Sequence, residues 1–390
     1  MSQGSAGARP SYTLIEDERG LADAVAHLEA ELEPGRSLEQ PLFLDTEFES
    51  GRQGVRLCLL QVSAGGAVFL FDALRLRTLS PLASVLAREN LIWILHAGLQ
   101  DIRLLEQEIP EAAPRRLLDT QVAWALLGPE YSVSLAYLEY RVCGVRADKG
   151  HQADDWVRRP IPRSQLDYAA QDVAYLPAIF GQVKARLEGL NRFDLAIAAS
   201  LATLTPEPEP PRALGMGSFR NAWQLSADGL VALALLIAFY NDLPPSEQST
   251  IGEPKVLMSL AARLPKSKDE LSRIKGVNRT LTERYGDRIL GLLQSAAQGG
   301  AAASPALEPP AYGSFEEHRL DAWIATLRAE VCAELAVAPE LALPSRLTRR
   351  MLDGYTSGGI PALFGGLSGW RKSLLQEQVA RFCERRPPPV

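Results

Sequence analysis

Two segments rich in proline, glycine and alanine divide this chain of 390 residues into separate folding units. Residues 205–217 begin Thr-Pro-Glu-Pro-Glu-Pro-Pro, a composition that favours an extended, solvated linker over a packed helix or strand. Residues 298–314 are similarly rich in glycine, alanine and proline. The segmentation predicts three domains, over residues 12–204, 218–297 and 315–387, each within the usual size range.

Charge is distributed unevenly over these units. The net charge of the chain is −6, and residues 1–210 carry 20 basic and 29 acidic side chains, a net −9. Residues 211–300 carry 11 basic and 8 acidic side chains, a net +3, whereas residues 301–390 carry 10 of each. Phosphate groups attract basic surfaces, so charge alone argues against nucleic-acid binding by the first unit and favours the second.

Composition excludes several classes of protein. Hydrophobic residues make up 46% of the chain and charged residues 23%, as in an ordinary globular protein, so a disordered or fibrous chain is not expected. No stretch approaches 18 apolar residues, and the first residues lack the apolar core of a secretion signal. The four cysteines are scattered and form neither a disulfide framework nor a zinc motif. We expect a cytoplasmic, monomeric protein with reduced thiols and no membrane partner.

Short apolar runs predict strands in the first unit. Residues 41–48, 56–63 and 67–72 are separated by glycine-containing turns, a pattern typical of an antiparallel meander. Residues 91–96 predict a buried strand. The helices predicted between and after these strands cover residues 79–88, 99–108, 134–141 and 163–187. This order of elements predicts an α/β fold, whereas the second and third units predict helices only.

Asp45 and Glu47 lie two residues apart at the end of the first predicted strand. Because residues i and i+2 of a strand project from the same face, both carboxylates point toward one spot. Two such groups repel each other in a partly dry site unless a cation lies between them. The pair therefore indicates a metal site, although a solvated strand end is the simpler alternative for this pair alone.

Three more polar residues strengthen that interpretation. Asp101 falls in the first turn of a predicted helix, where an acid also suits the helix dipole. Tyr168 and Asp172 are four residues apart and share a face of another predicted helix. Each observation has a structural explanation on its own. The conjunction indicates function: Asp-x-Glu on a strand, Asp after a later strand, and Tyr-x-x-x-Asp on a later helix.

These motifs resemble the tyrosine-bearing branch of the DEDD exonuclease superfamily, and within it the ribonuclease D family. The matching stretches are Leu44-Asp-Thr-Glu-Phe48, Leu95-His-Ala-Gly98, Leu118-Asp-Thr-Gln121, Asp155-Trp156 with Arg159-Pro160, and Tyr168 to Leu176. Residues 221–225 resemble the start of a helical HRDC domain. The resemblance implies an α/β ribonuclease H-like 3′-5′ exonuclease domain followed by two all-α HRDC helical bundles, the second more diverged.

The resemblance also implies an activity, a metal-dependent 3′-5′ exoribonuclease that trims the 3′ ends of structured RNAs such as tRNA precursors. Asp45, Glu47 and Asp172 would hold the first of two divalent cations, Mg²⁺ or Mn²⁺, and Asp101 would help hold the second. Tyr168 would orient the attacking water. Part of the −9 charge would then face the cations. A DNA 3′-5′ exonuclease on the same site and a catalytically silent RNA-binding scaffold remain open alternatives.

Further residues are expected to contact RNA. Thr46 and Phe48 adjoin the catalytic pair and are placed to meet the terminal nucleotide, although a core aromatic explains Phe48 equally well. His96 and Lys149 are weaker candidates, with structural and solvated alternatives, and Asp119 is expected to cap a helix. The basic residues of the second unit expected to attract the RNA backbone are Lys266, Lys268, Arg273, Lys275 and Arg279.

Two segments depart from the family pattern. Residues 49–55, expected to form a loop, contain no aromatic residue and a single basic one, Arg52, where the family usually has aromatic and basic residues, so a stacking contact is not expected there. Residues 150–154 are unusual ahead of Asp155 and Trp156. We expect both departures to affect substrate preference.

Overall fold

A mixed six-stranded sheet organises the first half of the chain in a computed structural model that describes residues 10–32, 39–51, 54–146, 154–205, 213–298 and 314–389. The strands are β1 (Thr13–Ile15), β2 (Gln40–Gly51), β3 (Gly54–Ala64), β4 (Ala67–Asp72), β5 (Leu91–Leu95) and β6 (Leu117–Asp119). Their order across the sheet is β1-β4-β3-β2-β5-β6. Strands β2, β3 and β4 pair antiparallel, and the other three pairings are parallel. The predicted antiparallel meander followed by a parallel strand is confirmed.

Helices follow the strands in the order that the sequence predicts. Those of the sheet region are α1 (Glu18–Glu31), α2 (Ala83–Leu86), α3 (Leu99–Glu108), α4 (Thr120–Ala125), α5 (Leu135–Leu138), α6 (Arg163–Ala174), α7 (Leu176–Gly189) and α8 (Phe193–Leu204). A π-helical turn, Glu139–Cys143, continues directly from α5. The β3–β4 hairpin turns at Gly65 and Gly66, whose φ angles of 56° and 88° are the left-handed values that such a tight turn requires.

Alternate residues of the central strands build a separate core on each face of the sheet. Along β5, Ile92 and Ile94 join one apolar cluster, whereas Leu91, Trp93 and Leu95 join the other. The second cluster is closed by α1, α2 and α3, and the first by α4 and α6–α8. A strand buried on both faces reads as a continuous apolar run, which explains the sequence Leu-Ile-Trp-Ile-Leu.

Four C-terminal helices close the same face of the sheet as α6–α8. They are α14 (Phe315–Leu335), α15 (Pro339–Ala342), α16 (Ser345–Leu363) and α17 (Gly369–Arg385). The amide of Ala338 donates to the carbonyl of Ala125 at 2.8 Å, and the Arg192 guanidinium donates to the carbonyls of Leu126 and Leu335 at 2.9 and 2.6 Å. One compact unit therefore spans Met1–Pro206 and Glu316–Val390.

The second compact unit spans Glu207–Phe315 and is helical. Its helices are α9 (Ala227–Asn241), α10 (Pro245–Ile251), α11 (Lys255–Arg263), α12 (Lys268–Ser272) and α13 (Arg279–Gln298). The Ser226 side chain caps α9 by accepting the amide of Gly229 at 3.1 Å. The predicted division into three domains, with its boundaries, stays a prediction, and residues 206–212 and 299–313 of the two predicted linkers lie outside the described residues.

Two details of the predicted elements are wrong. The helix expected over residues 163–187 is broken at Tyr175, because Pro177 lacks the amide that a continuous helix would need at that point. Residues 49–51 and 54–55 continue the β2–β3 ladder instead of forming a loop. Pairing between β2 and β3 extends both strands over these residues. Such pairing cannot be read from the local composition.

Among the residues that the structure describes, no helix is both long and apolar enough to cross a lipid bilayer. All four cysteines are free thiols, three of them buried. The cytoplasmic location and the monomeric state stay predictions.

Arg192 offers a test of the contact between the C-terminal helices and the rest of their unit. Arg192→Met should lower the free energy of unfolding by about 2–3 kcal/mol, because two backbone carbonyls lose a charged donor. Denaturant unfolding followed by tryptophan fluorescence measures this change. The exposed Arg103 of α3 provides the control, and Arg103→Met should change stability by less than about 0.5 kcal/mol. Equal stability of the two variants would contradict a tethering role for Arg192.

Candidate active site

Strand β2 presents Asp45 and Glu47 near the middle of the sheet, between β3 and β5. Asp45 pairs in register with Gln61 and Glu47 with Leu59, and a bulge follows between Glu47 and Phe48. The two acids, two residues apart, project from the same face of β2, as predicted. Both side chains are half-buried, so their charges are only partly solvated.

Helix α6 brings Tyr168 and Asp172 to the same place. Its Ala169 and Ala170 are fully buried, and these small side chains let the helix backbone approach the sheet closely. One carboxylate oxygen from each of Asp45, Glu47 and Asp172 lies within 4.8 Å of the other two. The Tyr168 hydroxyl hydrogen-bonds the Asp172 carboxylate one turn further along the helix.

Asp101 reaches the site from the first turn of α3, directly after the turn that follows β5. Ala97 has a left-handed φ of 53°, and a Cβ on Gly98 would lie only 2.6 Å from the Cβ of Leu95, so glycine is required there. The Asp119 carboxylate holds this turn by accepting the amides of Ala97 and Gly98 at 3.0 and 3.1 Å. Asp119 also caps α4, as predicted.

Thr46 links β2 to α3. Its hydroxyl donates to the Asp101 carboxylate at 2.5 Å, and both residues are buried. Thr46 was expected to meet the terminal nucleotide through its backbone. In the structure, the Thr46 side chain fixes the orientation of the Asp101 carboxylate through this hydrogen bond.

Crowding of negative charge dominates the electrostatics of the site. Desolvation, followed by repulsion from Asp172 and Asp101, raises the pKa of Glu47 to about 9. Desolvation and the charges of Asp172, Asp101 and Glu47 likewise raise the pKa of Asp45 well above its ordinary value. Burial and the charge of Glu139 raise the pKa of Asp172 to about 7. A cation among these groups would remove the repulsion.

These residues line one cavity of about 780 Å³. Asp45, Glu47, Asp101, Tyr168 and Asp172 all border it, so the structure brings together the five predicted catalytic residues. The segment that precedes α5 and α5 itself also border the cavity. Its remaining lining residues include Phe48, Glu49, His96, Gln121, Ser134, Glu139 and Trp156.

The residues of the first unit that are predicted to contact RNA differ in their surroundings. Phe48 is half-buried, packs against a core cluster and also borders the cavity, so both interpretations of it stand. The His96 ring is held between the Thr120 hydroxyl at 2.8 Å and the Val133 carbonyl at 2.9 Å. These two hydrogen bonds support the structural interpretation of His96. The residue also borders the cavity. Lys149 lies outside the described residues.

The predicted RNA contacts of the second unit are all exposed. Lys268 pairs with Asp287 at 2.8 Å, Arg273 with Asp269 at 2.5 Å, and Arg279 with Glu283 at 2.6 Å. Such surface pairs are weak and exchange readily with other charges. Lys266 and Lys275 complete the predicted set.

Glu139 is a site residue that the sequence reasoning missed. It begins the π-helical turn after α5, and only 1% of its surface is exposed. A signal was present, because Leu135, Leu138 and Val142 place position 139 on the apolar side of a predicted helix. A glutamate there is unusual for a solvated helix.

Comparisons with known proteins agree with this geometry. Residues 12–188 match the family model described as 3′-5′ exonuclease, and residues 251–293 match that of the HRDC domain. Ribonuclease D of Shewanella sp. (strain ANA-3) is 27% identical over 383 residues, covering 95% of this chain and 94% of its own. The crystal structure of Escherichia coli RNase D is 25% identical, with a TM-score of 0.67 over 97% of this chain and 100% of that chain. The chain is a ribonuclease D homologue.

Ribonuclease D of Escherichia coli (strain K12) is 26% identical by sequence and covers 88% of this chain and 93% of its own. The predicted fold, an exonuclease domain followed by HRDC-type helices, is therefore confirmed for this ribonuclease D homologue. The HRDC family match covers residues 251–293 of the second unit, whereas α14–α17 form a helical region whose assignment as a second HRDC domain stays a prediction.

The site of this ribonuclease D homologue fits a divalent cation. Asp45, Glu47 and Asp172 offer three carboxylate oxygens close enough to share one ion. Hard divalent cations prefer oxygen ligands of this kind. Among the described residues, no positive charge contributes to the pKa of Glu47 or Asp172, and both values are raised. A bound divalent cation would supply the positive charge that balances these carboxylates.

The raised pKa values predict how the stability of the metal-free homologue depends on pH. A carboxyl with a raised pKa in the folded state keeps its proton where the unfolded chain has lost it. Stability therefore falls as pH rises from about 4 through the folded pKa values of about 7 and 9. The melting temperature in EDTA should drop by several degrees between pH 5.5 and 8.5.

Scanning calorimetry at both pH values measures this drop. Glu47→Gln should reduce it, whereas the exposed Glu106→Gln on α3 should leave it unchanged. Added Mn²⁺ should stabilise the protein more at pH 8.5 than at pH 5.5. A metal-free melting temperature that rises over this interval would contradict the electrostatic description.

Proposed function

We propose that this chain is a metal-dependent 3′→5′ exoribonuclease that releases nucleoside 5′-monophosphates from structured RNA. The observation that carries the proposal is the convergence of three carboxylates within 4.8 Å, next to Tyr168, in the domain that matches the 3′-5′ exonuclease family. The structurally similar RNase D of Escherichia coli is described as an exoribonuclease involved in structured RNA processing, which supports RNA as the substrate. Precursors of tRNA with extended 3′ ends are the substrates that we propose.

The proposed cofactor is a pair of Mg²⁺ or Mn²⁺ ions. Asp45, Glu47 and Asp172 would hold the first ion, and Asp101 would help hold the second, with Thr46 orienting its carboxylate. When bound, such ions activate the attacking water and stabilise the leaving 3′ oxygen. The two charges would also balance the four carboxylates and relieve the repulsion between them.

Tyr168 positions the attacking water in this proposal. Burial and the neighbouring carboxylates of Asp172 and Glu47 raise the pKa of the Tyr168 phenol above its ordinary value. A phenol has an ordinary pKa of about 10 and is protonated at neutral pH, so positioning a water suits it better than accepting a proton. Its hydroxyl, already hydrogen-bonded to Asp172, is held where it can orient a water by hydrogen bonding.

The cavity has the size of a pocket for a terminal nucleotide. Its volume of about 780 Å³ lies within the range of ordinary ligand pockets. Phe48 borders it beside the carboxylates, where an aromatic ring can pack against a base. The exposed basic residues of the second unit provide a surface that attracts the RNA backbone further from the 3′ end.

A tRNA with a 3′ extension tests the proposed activity directly. The purified chain with Mn²⁺ or Mg²⁺ should shorten it stepwise and release nucleoside 5′-monophosphates, resolved by gel and by chromatography. Asp45→Asn should lower turnover by about 100-fold or more, because a central carboxylate is lost, while RNA affinity is kept. Asp23→Asn, an exposed change on α1, is the matched control and should keep full activity. Faster removal of nucleotides from a DNA substrate of the same sequence would overturn the RNA assignment.

Tyr168→Phe tests the positioning of water. The single-turnover rate should fall by about 100-fold, because the hydroxyl that orients the water is gone. Mn²⁺ affinity, measured by calorimetry, should stay within about twofold, since the phenol is not a metal ligand. Tyr140→Phe removes a hydroxyl from an exposed ring and should leave both quantities unchanged. A full rate in Tyr168→Phe would defeat the assigned role.

A further inference from the structure

The buried carboxylate of Glu139 has no role in the proposed chemistry so far. It lies at the first residue of the π-helical turn Glu139–Cys143, and its side chain is 1% exposed. Within the described residues, neither carboxylate oxygen has a hydrogen-bond partner. Gln171 lies close enough to lower the pKa of Glu139, yet it does not meet either oxygen with hydrogen-bond geometry.

Such an arrangement costs stability in the metal-free protein. A buried polar group without a partner carries the full penalty of its desolvation, and a carboxylate carries more than a neutral group. The local geometry is also uncommon, because π-helical turns are rare and are frequently found at functional sites.

The position of Glu139 gives a reason for a carboxylate to be buried there. Glu139 borders the same cavity as Asp45, Glu47 and Asp172. The charge of Glu139 also helps to raise the pKa of Asp172, so these two carboxylates interact through space. The two carboxylates face the site from different elements, Asp172 from α6 and Glu139 from the turn that follows α5.

We propose that Glu139 is a fifth carboxylate of the metal centre, which acts on the cation held by Asp45, Glu47 and Asp172 from the side of Asp172. This inference rests on the metal site of the proposed function. Glu139 touches no substrate in this role. It raises the affinity of the site for a divalent cation, either by direct contact or through an intervening water. Its effect is therefore on metal binding and not on RNA binding.

Two quantities besides activity should respond to Glu139→Gln in the full chain. The Mn²⁺ dissociation constant, measured by calorimetry, should rise by about 10-fold or more, because a charged partner of the site is lost. The melting temperature in EDTA should rise or stay constant, since a buried charge is removed, while the increase caused by Mn²⁺ should shrink. Glu139→Leu, which fills the same space without polar atoms, should give the same pattern.

Two further variants make the outcome decisive. Glu106→Gln makes the same chemical change at an exposed position of α3 and should alter neither quantity. Asp45→Asn should remove most Mn²⁺ binding. If Asp45→Asn weakens Mn²⁺ binding and both Glu139 variants bind Mn²⁺ as the parent does, the role of Glu139 is overturned while the metal site stands. If Asp45→Asn also leaves Mn²⁺ binding unchanged, the metal site and the proposed function both fail.

Discussion

Mutual repulsion between carboxylates is the constraint on which the rest of the exonuclease unit depends. Strand β2 and helix α6 together hold three of them within 4.8 Å in a partly desolvated cavity. An isolated pair of elements would separate to relieve that repulsion. Here α6 is kept in place by fully buried Ala169, Ala170 and Val173 on the apolar core, so packing opposes the electrostatic strain. The unit thus keeps the site assembled before any cation binds.

A second layer of polar contacts places the remaining catalytic groups. The Asp119 carboxylate accepts two amides of the turn that starts α3, and the Thr46 hydroxyl holds the Asp101 carboxylate that this helix carries. His96 is held in turn by Thr120 and Val133. The orientation of Asp101 therefore depends on the turn before α3, whose backbone amides donate to the Asp119 carboxylate. Positioning of this kind is what a two-ion site demands of its protein.

The sequence predicted those parts of the molecule that follow from local periodicity. Asp45 and Glu47 were paired by the two-residue period of a strand, and Tyr168 and Asp172 by the four-residue spacing of a helix. The sheet of β2–β5 was also predictable from its apolar runs. The packing of α14–α17 on the sheet region was not, because it depends on contacts between residues far apart in the chain. The burial of Glu139 was indicated by the apolar residues around it in sequence, whereas its position at the cavity follows from the packing of distant elements.

The order of the two compact units along the chain has a consequence for synthesis. The HRDC-type unit lies between two parts of the chain that form one unit, Met1–Pro206 and Glu316–Val390. A ribosome therefore finishes the catalytic residues and the whole middle unit before it makes the helices that complete the first core. A polypeptide released early would expose the apolar surface around Ala196 and Ala199, and proteases degrade chains with such surfaces. Folding of the first unit therefore depends on residues 316–390 as well as on the residues that precede the HRDC-type unit.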